Sequence, residues 1–209
     1  AKRAAEPLHV LWDASTNAVK VVNASNDSHR RLTVDARVFD LDGATRYTHS
    51  AVVDSTADTV VTAFPIVFPS GLSATHFVSL RLLDGRNLLS DNFYWRGTEY
   101  QNYRALTTMA KARVTALASL ATVGSTNTLT VTVTNDTAQV ALMLRLTLLR
   151  SGSRERVLPV YYEDNYFSLT PGESRRIALE FDSKYLAGEA PALTVQGWNV
   201  DRSAVAVSR

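Results

Sequence analysis

Leu32-Thr33-Val34-Asp35-Ala36-Arg37-Val38 alternates apolar and polar residues without a break. That period of two places every second side chain on one face, the pattern of a half-buried β-strand. The same alternation spreads outward. Leu8, Val10 and Trp12 alternate with His9 and Leu11, and Ala18 to Asn23 forms a second run. Arg46 to Val53, Thr59 to Phe64, Phe77 to Leu83 and Leu88 to Trp95 follow. Asp40-Leu41-Asp42-Gly43 reads as a turn, and Asp84-Gly85 between two runs is a hairpin signal. About seven short strands in some 90 residues is the spacing of an immunoglobulin-like sandwich.

The rhythm breaks between Arg96 and Lys111, and the domain boundary is expected there. Residues 105–121 mix helix-favouring Ala, Leu and Met with an alternation over Val114, Ala116, Ala118 and Leu120, and read as linker followed by strand. Leu129, Val131 and Val133 then alternate with Thr128, Thr130, Thr132 and Thr134. Val140 to Arg150 is apolar enough for a central strand buried on both faces or nearly so. Strands are expected at Val157 to Tyr162, Tyr166 to Leu169, around Ile177 to Phe181, at Leu193 to Asn199 and at Ser203 to Val207. Thr170-Pro171-Gly172-Glu173 predicts a tight turn. Asp182 or Ser183 caps a helical turn that Gly188 ends. The expected fold is all-β, two tandem immunoglobulin-like β-sandwiches over 1–98 and 99–209.

Composition narrows the function classes. The 209 residues are 45% hydrophobic and 20% charged, with a net charge of +2 and no cysteine. These values fit a globular chain, and the absence of cysteine removes disulfides, thiolate zinc sites and cysteine nucleophiles. No apolar run reaches the roughly 20 residues of a membrane helix, and no basic face points to nucleic acid. Ala1 to Pro7 carries neither an initiator Met nor a leader pattern, as expected of a fragment or mature product. His9, His29, His49 and His76 stand in no metal-ligand spacing, and no nucleotide-binding glycine motif occurs. A Ser-His-Asp site is set by geometry and has no signature here. No catalytic residue, metal or cofactor is therefore expected from the residues themselves.

The aromatics are the candidate binding groups. Phe93-Tyr94-Trp95 ends the first domain, and Tyr161-Tyr162 and Tyr166-Phe167 flank Glu163-Asp164-Asn165. Aromatic faces beside carboxylates and amides suit a sugar ring. Trp95, Tyr161, Tyr162, Glu163, Asp164 and Asn165 are the candidate saccharide contacts. Packing between sheets is the alternative for each ring, and a corner turn for Asp164-Asn165. Asn23-Ala-Ser25, Asn26-Asp-Ser28 and Asn135-Asp-Thr137 match the glycosylation acceptor pattern at a frequency expected by chance.

Four segments in order carry a resemblance to a known family. They are Glu6-Pro7-Leu8-His9-Val10 and Ser90-Asp91-Asn92-Phe93-Tyr94-Trp95. Then come Val157-Leu158-Pro159-Val160 with Asp164-Asn165 and Ser168 to Glu173, and Val195-Gln196-Gly197-Trp198-Asn199. Together the halves resemble the C-terminal immunoglobulin-like domains of glycoside hydrolase family 2, in its exo-β-D-glucosaminidase, endo-β-mannosidase and β-mannosidase subgroups. The resemblance implies a parent enzyme whose (β/α)₈ barrel carries two catalytic glutamates and retains configuration. A barrel needs about 250 residues with helices, which this strand-rich chain does not supply. No catalytic residue carries over, and Glu163 and Glu173 are not stand-ins. The implied role is non-catalytic packing on that barrel, with oligosaccharide as the second candidate partner. Any export leader of the parent is expected upstream of this segment. A carbohydrate-binding module and a surface-adhesive pair remain the alternative readings.

Overall fold

A computed structural model describes residues 6–99 and 102–208. Residues 1–5 of the leading segment and 100–101 of the expected linker lie outside them, as does 209. The chain divides into two compact units, Ala1–Thr108 and Met109–Arg209. This division assigns residues after 98 to the first unit, where Thr75 Oγ1 donates to Asn102 O at 3.3 Å and Leu106 of the 3₁₀ turn Arg104–Thr108 is buried.

Among the described residues the first unit has seven strands: β1 (Leu8–Asp13), β2 (Ala18–Asn23), β3 (His29–Phe39), β4 (Thr45–Ser55), β5 (Thr59–Pro65), β6 (Thr75–Asp84) and β7 (Asn87–Gly97). They form a three-stranded sheet, β1-β2-β5, and a four-stranded sheet, β4-β3-β6-β7, with every pair antiparallel. Val10, Val19, Val21 and Phe64 of one sheet meet Leu32, Val34, Ala36, Val38, Val78, Leu80 and Leu82 of the other. The alternating stretch Leu32 to Val38 thus lies on an inner strand of this core, with Arg37 turned to solvent. On the outer face of the same sheet Phe39, Phe77 and Trp95 stand in register.

The second unit contains β8 (Val114–Val123), β9 (Thr126–Asn135), β10 (Ala141–Arg150), β11 (Tyr161–Tyr162), β12 (Phe167–Leu169), β13 (Ser174–Asp182), β14 (Pro191–Gln196) and β15 (Ser203–Ser208). Their hydrogen bonds form one ladder, β11-β13-β9-β8-β15-β14-β10-β12. It is antiparallel except where β15 runs parallel to β8, with Ala206, Val207 and Ser208 opposite Leu117, Ala118 and Ser119. Leu129, Val131, Val133, Ile177, Leu179 and Phe181 share one core with Leu144, Leu146, Leu148, Leu193 and Val195. The threonines of β9 face outward. On β10, Leu142, Leu144, Leu146 and Leu148 are buried while Met143, Arg145 and Thr147 are half-buried on the opposite face.

Three local expectations differ from the structure. The strand expected over Val157 to Tyr162 forms only at Tyr161–Tyr162, because Pro159 brings no amide hydrogen to a ladder. The run toward Asn199 ends at Gln196, where a turn sends Trp198 N–H to Leu142 O at 2.8 Å. A Cβ at Gly197 would meet Leu142 O at 2.7 Å, so only glycine lets the backbones approach. The turn Ser183–Leu186 is capped by Asp182, which accepts from Lys184 N at 2.9 Å, and it ends at left-handed Ala187 before Gly188.

Candidate functional site

The loop from β11 to β12 holds five of the six candidates, and it lies along the edge of β10. That edge pairs with β12 only at Ala141 and Leu144. Side chains complete it. Met143 N–H donates to Ser168 Oγ at 3.3 Å. Asn165 acts as a strand residue would, accepting from Leu146 N at 2.9 Å and donating to Leu146 O at 3.1 Å. Leu148 N–H donates to the Tyr162 hydroxyl at 3.2 Å. Tyr162 packs on the core, and burial pushes its phenol above the usual range.

The carboxylates of the loop are also engaged. Asp164 pairs with Arg175 Nη1 at 2.9 Å, both ends mostly shielded from water. Arg175 also sits over the Phe167 ring, 5.5 Å from its centre. Glu163 accepts from Ala178 N at 3.1 Å. Glu173 accepts from Thr170 N at 2.9 Å and from its hydroxyl at 2.8 Å, closing the turn that left-handed Gly172 shapes. Among the candidate rings Tyr161 is largely open to water, 71% exposed, and Glu163 is exposed as well.

The sixth candidate, Trp95, lies in the other unit. Its ring is 6.0 Å from Tyr103, edge to face, and Tyr103 donates to Trp95 O at 3.4 Å. The inward side of β7 repeats the device seen on β10. Val10 N–H donates to Ser90 Oγ at 3.4 Å, Asn92 donates to Val10 O at 2.6 Å, and Trp12 N–H donates to the Tyr94 hydroxyl at 3.3 Å.

Asp40, Ser73 and His76 come together in the first unit but are wired unlike a hydrolytic triad. Ser73 Oγ donates to Asp40 and to Thr75 O, and not to the imidazole. His76 is fully buried, with Nδ1 on Ser73 O at 3.1 Å and Nε2 facing Arg96 Nη1 at 3.0 Å. That pairing assigns the proton to Nδ1 and an acceptor lone pair to Nε2. Burial pushes the His76 pKa down, with the nearby Arg96 charge adding to it.

Two of the three acceptor-pattern asparagines are buried corner posts. Asn23, ending β2, donates to Asp27 O at 2.8 Å and Thr56 O at 2.9 Å and accepts from Ser25 N and Oγ. Asn135, ending β9, donates to Gln139 O, Leu169 O and Thr170 O and accepts from Thr137 N and Oγ1. Their exposures of 1% and 0% close both to a glycosyltransferase. Asn26 is exposed. The signal was present in sequence, since Val22-Asn23-Ala24-Ser25 and Thr134-Asn135-Asp136-Thr137 end corresponding strands.

A cavity of about 600 Å³ lies between the end of β8 and the start of β14, lined by Leu120, Thr122, Asn127, Leu186, Glu189 and Pro191 among others. Sequence reasoning named none of these as a candidate site residue. Thr122 donates to Asn127 at 2.8 Å, and Asn127 donates to Ser183 at 2.7 Å. Glu189 accepts from Gly152 N and Ser153 N, which hold its carboxyl below the usual range. Among the described residues no group of three or more His, Asp or Glu side chains could hold a metal ion, and no helix is long and apolar enough to cross a membrane.

Comparison with known proteins gives two family matches in chain order. Residues 15–97 match the mannosidase Ig/CBM-like domain and residues 92–200 the exo-β-D-glucosaminidase Ig-fold domain. An exo-β-D-glucosaminidase of Streptomyces avermitilis is 33% identical over 98% of this chain and 25% of its own length. A mannosylglycoprotein endo-β-mannosidase of Lilium longiflorum is 26% identical over 94% of this chain and 27% of its own. The crystal structure of the Amycolatopsis orientalis exo-chitosanase superimposes with a TM-score of 0.88 at 25% identity, covering 98% of this chain and 27% of that one. The chain thus spans about a quarter of the length of these relatives.

Proposed function

The chain belongs to the exo-β-D-glucosaminidase and mannosidase family of immunoglobulin-fold domains in glycoside hydrolase family 2, and we propose that it serves a larger glycosidase as a non-catalytic accessory pair. The observation that carries this reading is the use of the loop's polar groups. Asn165, Asp164, Glu163 and Glu173 all hold the chain's own backbone or Arg175. A retaining glycosidase needs two carboxyl groups free to face a glycosidic bond, and these glutamates are spoken for. The hydrolysis belongs to a (β/α)₈ barrel elsewhere in the parent, with two glutamates as nucleophile and acid/base. The substrate is an oligosaccharide of glucosamine or mannose, in keeping with the names of the relatives.

The test compares the 209-residue chain with the parent enzyme on chitosan and mannan oligosaccharides. The chain alone should release no sugar, and the parent should. Deleting the chain should shorten the parent's thermal half-life. Turnover by the isolated chain, or a parent indifferent to the deletion, would overturn the reading.

A further inference from the structure

Arg145 is the most anomalous charge in the second sandwich. It is half-buried on the outer face of β10, and its Nε is shut off from water without a hydrogen-bond partner. Among the described residues no carboxylate lies within ion-pair distance of it. Directly across the strand pair stands Gln196, and one step along the same face Thr147 stands opposite Thr194. Thr194 is 3% exposed, and its hydroxyl is a second buried polar atom without a partner. Arg156 is exposed and likewise lacks an acidic partner among the described residues. Arg156 bridges to Leu149 of β10, and Tyr166 follows Asn165, which bonds both backbone groups of Leu146, so the face of β10 and the neighbouring loop meet along one edge.

The rim of that edge is aromatic and apolar. Leu158 and Tyr166 are 67% and 59% exposed, whereas Tyr161, opposite Glu180 of β13, belongs to the outward face of the other sheet. Tyrosine and arginine together, around a desolvated centre, are the composition of protein interface hot spots. A half-buried guanidinium with no counter-charge costs free energy unless a carboxylate arrives to pair with it. Protonated glucosamine carries the same sign as the two arginines and is repelled.

We infer that the outer face of β10 and β14, with the loop 156–166, is the surface on which this sandwich docks against the rest of its glycosidase, and that an aspartate or glutamate of that partner pairs with Arg145. The inference rests on the accessory role proposed above and names the contact that serves it. Arg145→Met keeps the length of the side chain and removes the charge. In the 209-residue chain it should leave Tm unchanged or raise it by about 2 °C, since an uncompensated cation is lost. In the parent enzyme it should lower the transition of this segment by about 2–4 °C. Amide exchange over 156–166, slower in the parent than in the isolated chain, should return toward the isolated rate.

A fall in Tm in both contexts would overturn the inference, because Arg145 would then serve its own domain. Slowed exchange in the parent at other segments but not at 156–166 would overturn it and leave the accessory role standing. No slowed exchange anywhere in the chain would sink the accessory role and this contact with it. Slowed exchange at 156–166 in the isolated chain on adding uronic-acid oligosaccharides would make the occupant an acidic sugar, and would also overturn it.

Discussion

β7 of the first sandwich and the β11–β12 loop of the second solve one problem in two ways. Each must satisfy a strand edge that has no full partner strand, and each uses a serine, an asparagine and a tyrosine. In β7 these are Ser90, Asn92 and Tyr94, two residues apart, bonded to Val10 and Trp12 of β1. In the loop and the strands that flank it they are Tyr162, Asn165 and Ser168, three apart, bonded to Leu148, Leu146 and Met143 of β10. The spacing differs because β7 is an extended strand with alternating faces, whereas the segment along β10 is not one continuous strand and takes a left-handed conformation at Tyr166. Side chains thus stand in for a strand in both sandwiches, and buried backbone groups find partners either way.

The largest effect should fall on the corner posts that the two sandwiches share. Asn135→Ala strands three carbonyls and two donors in a fully buried site, and should cost about 3–4 kcal/mol in denaturant unfolding. Asn23→Ala breaks fewer bonds and should cost about 2 kcal/mol. Equal costs would break the parallel drawn from their bond counts. Next come the edge asparagines. Asn165→Ala removes both bonds to Leu146 and should cost about 2 kcal/mol, against about 1 kcal/mol for Asn92→Ala, which removes one.

These distinctions were only partly legible in the sequence. The alternations of Leu32 to Val38 and of Thr128 to Val133 announce the core strands, because period two is a local property. Asn165 and Leu146 meet across 19 residues, and nothing near Asn165 marks its partner. Read locally, Tyr161 to Tyr166 looks like a platform for sugar, since the residue types that complete an edge are the ones that bind hydroxyls. Arg145 was invisible for another reason: a lone arginine in a leucine-rich strand reads as an outward charge, and its missing partner shows only in three dimensions.

Smaller effects sharpen the comparison. Tyr162→Phe and Tyr94→Phe each leave one backbone N–H without its acceptor, and each should cost about 1 kcal/mol. A wide gap between them would mean that loop and strand are not equivalent. The first sandwich should also respond to pH through His76, whose folded pKa is depressed below the ordinary 6.5. Below about pH 6.5 the unfolded chain binds a proton that the folded imidazole refuses, so stability falls as pH drops, by at most about 1.4 kcal/mol per unit. His76→Gln should flatten that slope, and the second sandwich, which contains no histidine, should not share it. Smallest of all, Tyr161→Ala should change the stability of the isolated chain by no more than about 0.5 kcal/mol, because its ring is mostly in water.

The most direct test is amide exchange at Leu146 and Leu148 in the isolated chain and in Asn165→Ala. If side chains replace a strand along β10, both amides should be protected in the wild type, and Leu146 should lose about tenfold or more of its protection in the variant while Val131 in the core keeps its own. Unchanged protection at Leu146, together with loss of oligosaccharide binding in the same variant, would contradict the account and return the loop to the role of a sugar site.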